Sequence, residues 1–170
     1  MFRKFLCASA LMVSVAAGAQ AQDSTFSAGL GIADFDGAEF TTASVRYGHF
    51  FDENWGFEGE AMFGLGDDTV NILSTDVDVS MDYAIGGFGV YRVASSDNFN
   101  FLFRAGYVHA EISADANGFE VSEDDGAFAA GLAAETFWDD RNGVRFDYTW
   151  ANYDEAASFW GVSYVRRFGG

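Results

Sequence analysis

His49 and His109 are the two side chains able to serve as bases or common metal ligands near neutral pH. Each lies in a stretch of alternating polarity, and they fall near opposite ends of their stretches, so a shared metal centre is not expected. Three acidic clusters, Asp67-Asp68, Asp76-x-Asp78 and Glu123-Asp124-Asp125, offer the oxygen ligands that Ca²⁺ or Mg²⁺ takes. None completes the twelve-residue calcium loop, and a solvated, self-repelling surface is the plainer reading. The run Gly86-Gly87-Phe88-Gly89 has no helix after it, which makes it a bend in a strand and not a phosphate cradle. No catalytic, cofactor-binding or metal residues are assigned, no cofactor is expected, and the chain is read as no enzyme. The remaining charged set is Arg46, Arg92, Arg104, Arg145 and Arg167 beside Glu58, Glu60, Asp82, Glu135 and Asp147. All ten share one parity of alternating segments, and their chemistry is ion pairing.

That parity comes from strands. In Val144-Arg145-Phe146-Asp147-Tyr148-Thr149-Trp150 every second residue is apolar, and the same holds in Phe101-Leu102-Phe103-Arg104-Ala105-Gly106-Tyr107 and through Trp55–Phe63. A period of two is the signature of a strand with two unlike faces. Such segments predict eight strands, near Thr25–Asp34, Phe40–Phe50, Trp55–Gly66, Val77–Val93, Phe99–Ile112, Gly126–Trp138, Gly143–Tyr153 and Ser158–Phe168. The absence of proline suits a chain that is nearly all paired sheet. Tight polar turns at Asp52–Asn54, Ser95–Asn98 and Asp139–Gly143 alternate with longer connections, of which Asp67–Asp76 and Ser113–Asp125 are the largest. Short turns at one end and longer loops at the other are the pattern of a membrane barrel.

The first residues set the compartment. Arg3 and Lys4 precede an apolar run from Phe5 to Ala17, and Ala19-Gln20-Ala21 supplies the small residues of a cleavage site. Residues 1–21 are therefore expected to be a signal peptide and 22–170 the mature barrel domain. Cleavage removes the sole lysine and the sole cysteine, leaving seven arginines against 26 carboxylates, a formal charge of −19. Neither a disulfide nor a thiol nucleophile is available, and so acidic a protein is no partner for nucleic acid.

Volume decides which face meets lipid. One parity is rich in Gly, Ala and Ser, including Gly29, Gly31, Gly48, Gly64, Gly106, Gly131 and Gly161. Small residues suit a crowded lumen and large aromatics suit lipid, the reverse of a soluble lipocalin-like carrier. The outward aromatics also sort into two levels, with Tyr47, Trp55, Tyr91, Phe101, Trp138, Tyr164 and Phe168 below and Tyr83, Tyr107, Phe128, Trp150 and Trp160 above. An interior of eight strands is filled by side chains, so a diffusion pore is not expected.

Phe103-Arg104-Ala105-Gly106-Tyr107, Arg145-Phe146-Asp147-Tyr148 and Gly161-Val162-Ser163-Tyr164 with Phe168 resemble the outer-membrane β-barrel domain of OmpA/OmpX-type proteins. The resemblance implies an all-β fold, an eight-stranded antiparallel transmembrane barrel in the outer membrane of a Gram-negative cell. It implies insertion by the barrel-assembly machinery and contact with outer-membrane lipid and lipopolysaccharide, with divalent cations at the acidic loops as a weaker expectation. The expected role is non-catalytic: envelope integrity or surface contact by a monomer. The alternatives are a lipid-modifying enzyme, a soluble carrier and a narrow ion pore. Small barrels that deacylate lipid A use a His-x-Ser arrangement, and His109-Ala110-Glu111-Ile112-Ser113 lacks the serine at the required place.

Overall fold

A computed structural model of the chain describes residues 23–35, 38–72, 75–96, 98–116, 119–153 and 156–169. The expected signal peptide at 1–21, its cleavage site and residues 36–37 and 154–155 of the expected shorter loops lie outside the described residues. The elements are β1 (Asp23–Phe35), β2 (Ala38–Phe50), β3 (Trp55–Gly64), β4 (Asp67–Ile72), β5 (Thr75–Ser96), β6 (Phe99–Ala116), β7 (Phe119–Phe137), β8 (Asn142–Ala151) and β9 (Ala157–Phe168). Every pairing is antiparallel and between chain neighbours, save two: β1 pairs with β9, and β3 pairs with β5. Those two contacts close the sheet into a barrel with eight walls. Closure gives each of the eight wall strands a hydrogen-bonded neighbour on both sides, as a bilayer demands.

The ninth strand corrects the sequence reading of Asp67–Asp76 as a loop. β4 pairs with the upper end of β5, from Asp67 opposite Ser80 to Ile72 opposite Thr75, and so continues the wall that β3 leaves at Gly64. The stretch Ser113–Asp125 is likewise mostly ladder, with Asp115 opposite Glu120 and Ala116 opposite Phe119. Alternation fades in both places because these rungs project beyond the barrel and no longer divide a lumen from lipid.

A second correction concerns Asp82. The β5–β6 register slips between Met81 and Tyr83, leaving Asp82 as the extra residue of a bulge. The slip exposes Asp82 and buries Met81. Asp82 accepts a hydrogen bond from Ser113 Oγ at 2.5 Å and meets no arginine in the lumen.

The outward aromatics are where parity puts them: Trp55, Tyr107, Phe128, Trp138 and Trp160 are all at least half exposed on the barrel wall. The interior is not made of small residues alone, however. Phe40, Phe50, Phe88, Phe137 and Phe159 are buried inside. Glycine makes the room. Phe50 lies opposite Gly56 and Phe137 opposite Gly143, and a Cβ on either glycine would stand 2.8 or 2.9 Å from the facing ring.

Candidate functional site

The lumen is filled in three tiers. At the lower mouth, Asp23 Oδ2 accepts a hydrogen bond from Arg92 Nη1 at 2.7 Å, and Arg167 Nε lies 3.2 Å from the same oxygen. Arg92 lies over the Phe50 ring and Arg167 over the Phe137 ring, each 4.0 Å from its centroid. Glycine, phenylalanine and guanidinium thus form a stack from β3 and β2 to β5, repeated from β8 and β7 to β9. Arg104 completes a third such contact, 3.8 Å over Phe88, whose ring lies beside Gly86.

The middle tier is one connected ion network. Arg145 reaches Glu58 at 2.5 and 3.0 Å and Glu135 at 3.3 Å. Arg104 joins Glu58 at 3.4 Å and also Glu60, and Arg46 links Glu60 at 2.5 Å to Asp147 at 2.8 Å. These residues come from β2, β3, β6, β7 and β8, so the network ties opposite walls together. Its three arginines face four carboxylates, and the lower tier has two arginines to one carboxylate. The five-to-five balance anticipated from the sequence is kept, with Asp23 in the place assigned to Asp82. Arg46 Nε, Arg104 Nε and Arg145 Nε remain buried donors without a hydrogen-bond partner among the described residues. Charge is matched across the two tiers together, without saturation in hydrogen bonds.

Above it the lumen turns apolar. Ala33, Phe40, Met62, Met81, Ala84, Phe88, Val108 and Phe159 pack together, with Phe35 and Tyr153 against them. Phe35 meets Phe40, Tyr153 and Phe159 at ring separations of 6.1, 5.8 and 5.5 Å. Burial against this cap raises the Tyr153 phenol above its usual range.

The histidines stay apart. His49 accepts or donates at 3.0 Å to Ser24 Oγ and packs on Phe51 and Phe57 near the lower rim. His109 Nε2 lies 3.7 Å from Asp124 Oδ2 near the upper rim. Ser113 is buried and committed to Asp82, so the described residues place no serine beside His109. Among the described residues no group of three His, Cys, Asp or Glu could hold a metal ion. The side chains of Asp67, Asp68, Asp76, Asp78 and Glu123, the oxygen ligands considered for Ca²⁺ or Mg²⁺, lie outside the described residues.

The two rims differ in charge. At the lower rim, Asp52 caps its turn by accepting the N–H groups of Trp55 at 2.7 Å and Asn54 at 2.8 Å, and those bonds lower its carboxyl pKa. Asp139 is lowered in the same way by the Asn142 side chain and by the Arg141 and Asn142 N–H groups. At the upper end, the described residues of segments 34–39, 67–82 and 111–125 hold 13 of the 26 carboxylates and no Lys or Arg. All seven arginines of the mature chain stand in the lumen or at the lower rim.

A family model described as outer membrane protein beta-barrel domain matches residues 5–168. Among solved structures, Ail of Yersinia pestis, crystallised with the heparin analogue sucrose octasulfate, superposes with a TM-score of 0.64 at 16% identity. That match covers 88% of this chain and all of Ail. The N-terminal β-barrel domain of Pseudomonas aeruginosa OprF gives 0.64 at 8% identity, covering 88% and 100%. Neisserial surface protein A gives 0.59 at 14% identity, covering 89% and 100%. At these identities the likeness is one of fold. No curated protein sequence matches the chain.

Proposed function

The chain belongs to the outer membrane protein beta-barrel domain family, and from that membership we propose that it is a non-catalytic barrel that supports the cell envelope through contacts of its external hairpins. One observation carries this reading. The lumen is closed by ion pairs and phenylalanines, while β4–β5 and β6–β7 run beyond the wall as acidic hairpins. A plugged interior leaves the outside as the working surface. The tight, capped turns and the arginine-bearing mouth face the periplasm, and the hairpins face outward. Residues 1–21 are the signal peptide that delivers the chain there, and the barrel-assembly machinery inserts it.

The hairpins' partner is the lipopolysaccharide layer. Both surfaces are anionic, so contact runs through divalent cations held between carboxylates and lipid phosphates. The sulfated ligand bound to Ail is a polyanion, and hairpins without Lys or Arg make no counterpart for it here. Replacing residues 68–79 and 112–124 by short turns tests the proposal. The shortened barrel should still show heat-modifiable gel mobility, while cells carrying it lose resistance to detergent and to chelators. Unchanged resistance with correct assembly would set the proposal aside.

A further inference from the structure

We propose that Arg141 and Arg166 form a clamp for the phosphodiester of a glycerophospholipid in the periplasmic leaflet. The inference rests on the outer-membrane placement and orientation proposed above. Five of the seven mature arginines face the lumen and are paired there. Arg166 is the one Lys or Arg on the outward parity of the described strands, and Arg141 is the one in a turn. Both are exposed, and neither has an ion-paired carboxylate among the described residues. Asp140 adjoins Arg141 in sequence, and Asp139, which Arg166 helps to hold ionised, is hydrogen-bonded by Asn142 and by the backbone of its own turn.

Backbone geometry brings the two guanidinium-bearing positions to one corner. Arg166 lies opposite Asn142 on β8 and opposite Phe26 on β1. Arg167 N–H donates to the Arg141 carbonyl at 2.7 Å, which docks the turn onto the end of β9. The corner stands at the membrane interface. Trp138 and Tyr164 lie 6.1 Å apart on the outer wall, and the Tyr164 hydroxyl donates to the Asn142 side chain. Exposed Trp and Tyr mark the headgroup level of a bilayer. Two fork-shaped cations immediately below them meet phosphate oxygens, which a guanidinium recognises through paired N–H bonds. The barrel's lower mouth holds a recess of about 1050 Å³ bordered by Arg141, Arg166 and Arg167 on one side and by Asp52 and Glu53 on the other, with room for a polar headgroup on its arginine side. The distribution of charge fits this choice of leaflet, because the hairpins at the other end carry carboxylates and no Lys or Arg and would repel the same lipid.

The test is a titration of the folded, detergent-solubilised mature barrel with short-chain phosphatidylglycerol, read by native mass spectrometry. Arg141→Gln and Arg166→Gln are each expected to weaken binding about fivefold, and the pair about 25-fold, as loss of one interfacial cation each implies. Arg141→Lys with Arg166→Lys should keep most of the affinity. Diacylglycerol, which lacks the phosphate, and inorganic phosphate, which lacks the chains, should both bind far more weakly. Unchanged affinity in the double glutamine variant would overturn the clamp. Inorganic phosphate binding as tightly as the lipid would make this a soluble-anion site instead. Orientation is checked separately, because the mature chain has no cysteine. Arg141→Cys should resist an impermeant maleimide on intact cells. Labelling there would overturn the periplasmic assignment even with lipid binding intact in detergent.

Discussion

Arg145 is held by Glu58 from β3 and Glu135 from β7, and its side chain is 1% exposed. An ion this enclosed gives back most of its Coulombic gain as lost hydration, so the intact network contributes little net stability. Removing one member is different, since it strands the partner charge. Arg104→Ala and Arg145→Ala should each cost about 3–5 kcal/mol of barrel stability in urea refolding, and Arg141→Ala at the rim less than about 0.5. Equal effects at all three positions would mean the lumen is solvated. The sequence exposes the arginines of this network plainly, because each interrupts an alternating strand on the glycine-rich parity. It does not expose Asp23, which stands at the first rung of β1 before any alternation has begun. Asp82 misleads because Val77, Val79, Met81 and Tyr83 keep one unbroken parity, so nothing in the residue types announces the bulge.

At the scale of strands, glycine sets how closely the walls approach. A Cβ on Gly106 would sit 1.9 Å from the Gly87 carbonyl oxygen across the β5–β6 ladder, whereas a Cβ on Gly59 meets nothing within 4 Å. Gly106→Ala should therefore cost about 3 kcal/mol, the upper end for overpacking, and Gly59→Ala almost nothing. Matching refolding midpoints for the two would contradict the register. The lower turns carry their own signature. The folded Asp52 and Asp139 carboxyls lie below the 3.8 of an unperturbed aspartate. Their support for the turns is therefore complete above that pH and is lost as pH falls through the lower folded values. Amide shifts of Trp55 and Arg141 in an NMR titration should show midpoints under 3.8. A midpoint at or above it would mean the caps are not formed. Turn chemistry of this kind is legible from Asp52-Glu53-Asn54 and Asp139–Asn142. The strand β4 is hard to read, since only Val70 and Ile72 mark an apolar parity and the Asp67-Asp68 pair that opens it is turn chemistry.

The whole molecule is a barrel asymmetric from end to end: arginines in the lumen and at the lower mouth, carboxylates without cations above. Fold and membrane placement were readable because lipid and lumen impose opposite demands on alternate residues of every strand. The filling of the lumen was only half readable. Glycine parity pointed to a narrow interior, but the same glycines make space for Phe50 and Phe137 and for the guanidinium groups stacked upon them. Those stacks, the ion network and the phenylalanine cap fill the lumen in series and should leave no continuous path across the barrel. Planar-bilayer recording of the unmodified mature protein tests that claim most directly. Bilayers should stay at baseline conductance once folded protein has inserted. A large, steady, ion-selective current would contradict it, since a stable current needs a hydrated channel where the arginines and phenylalanines stand.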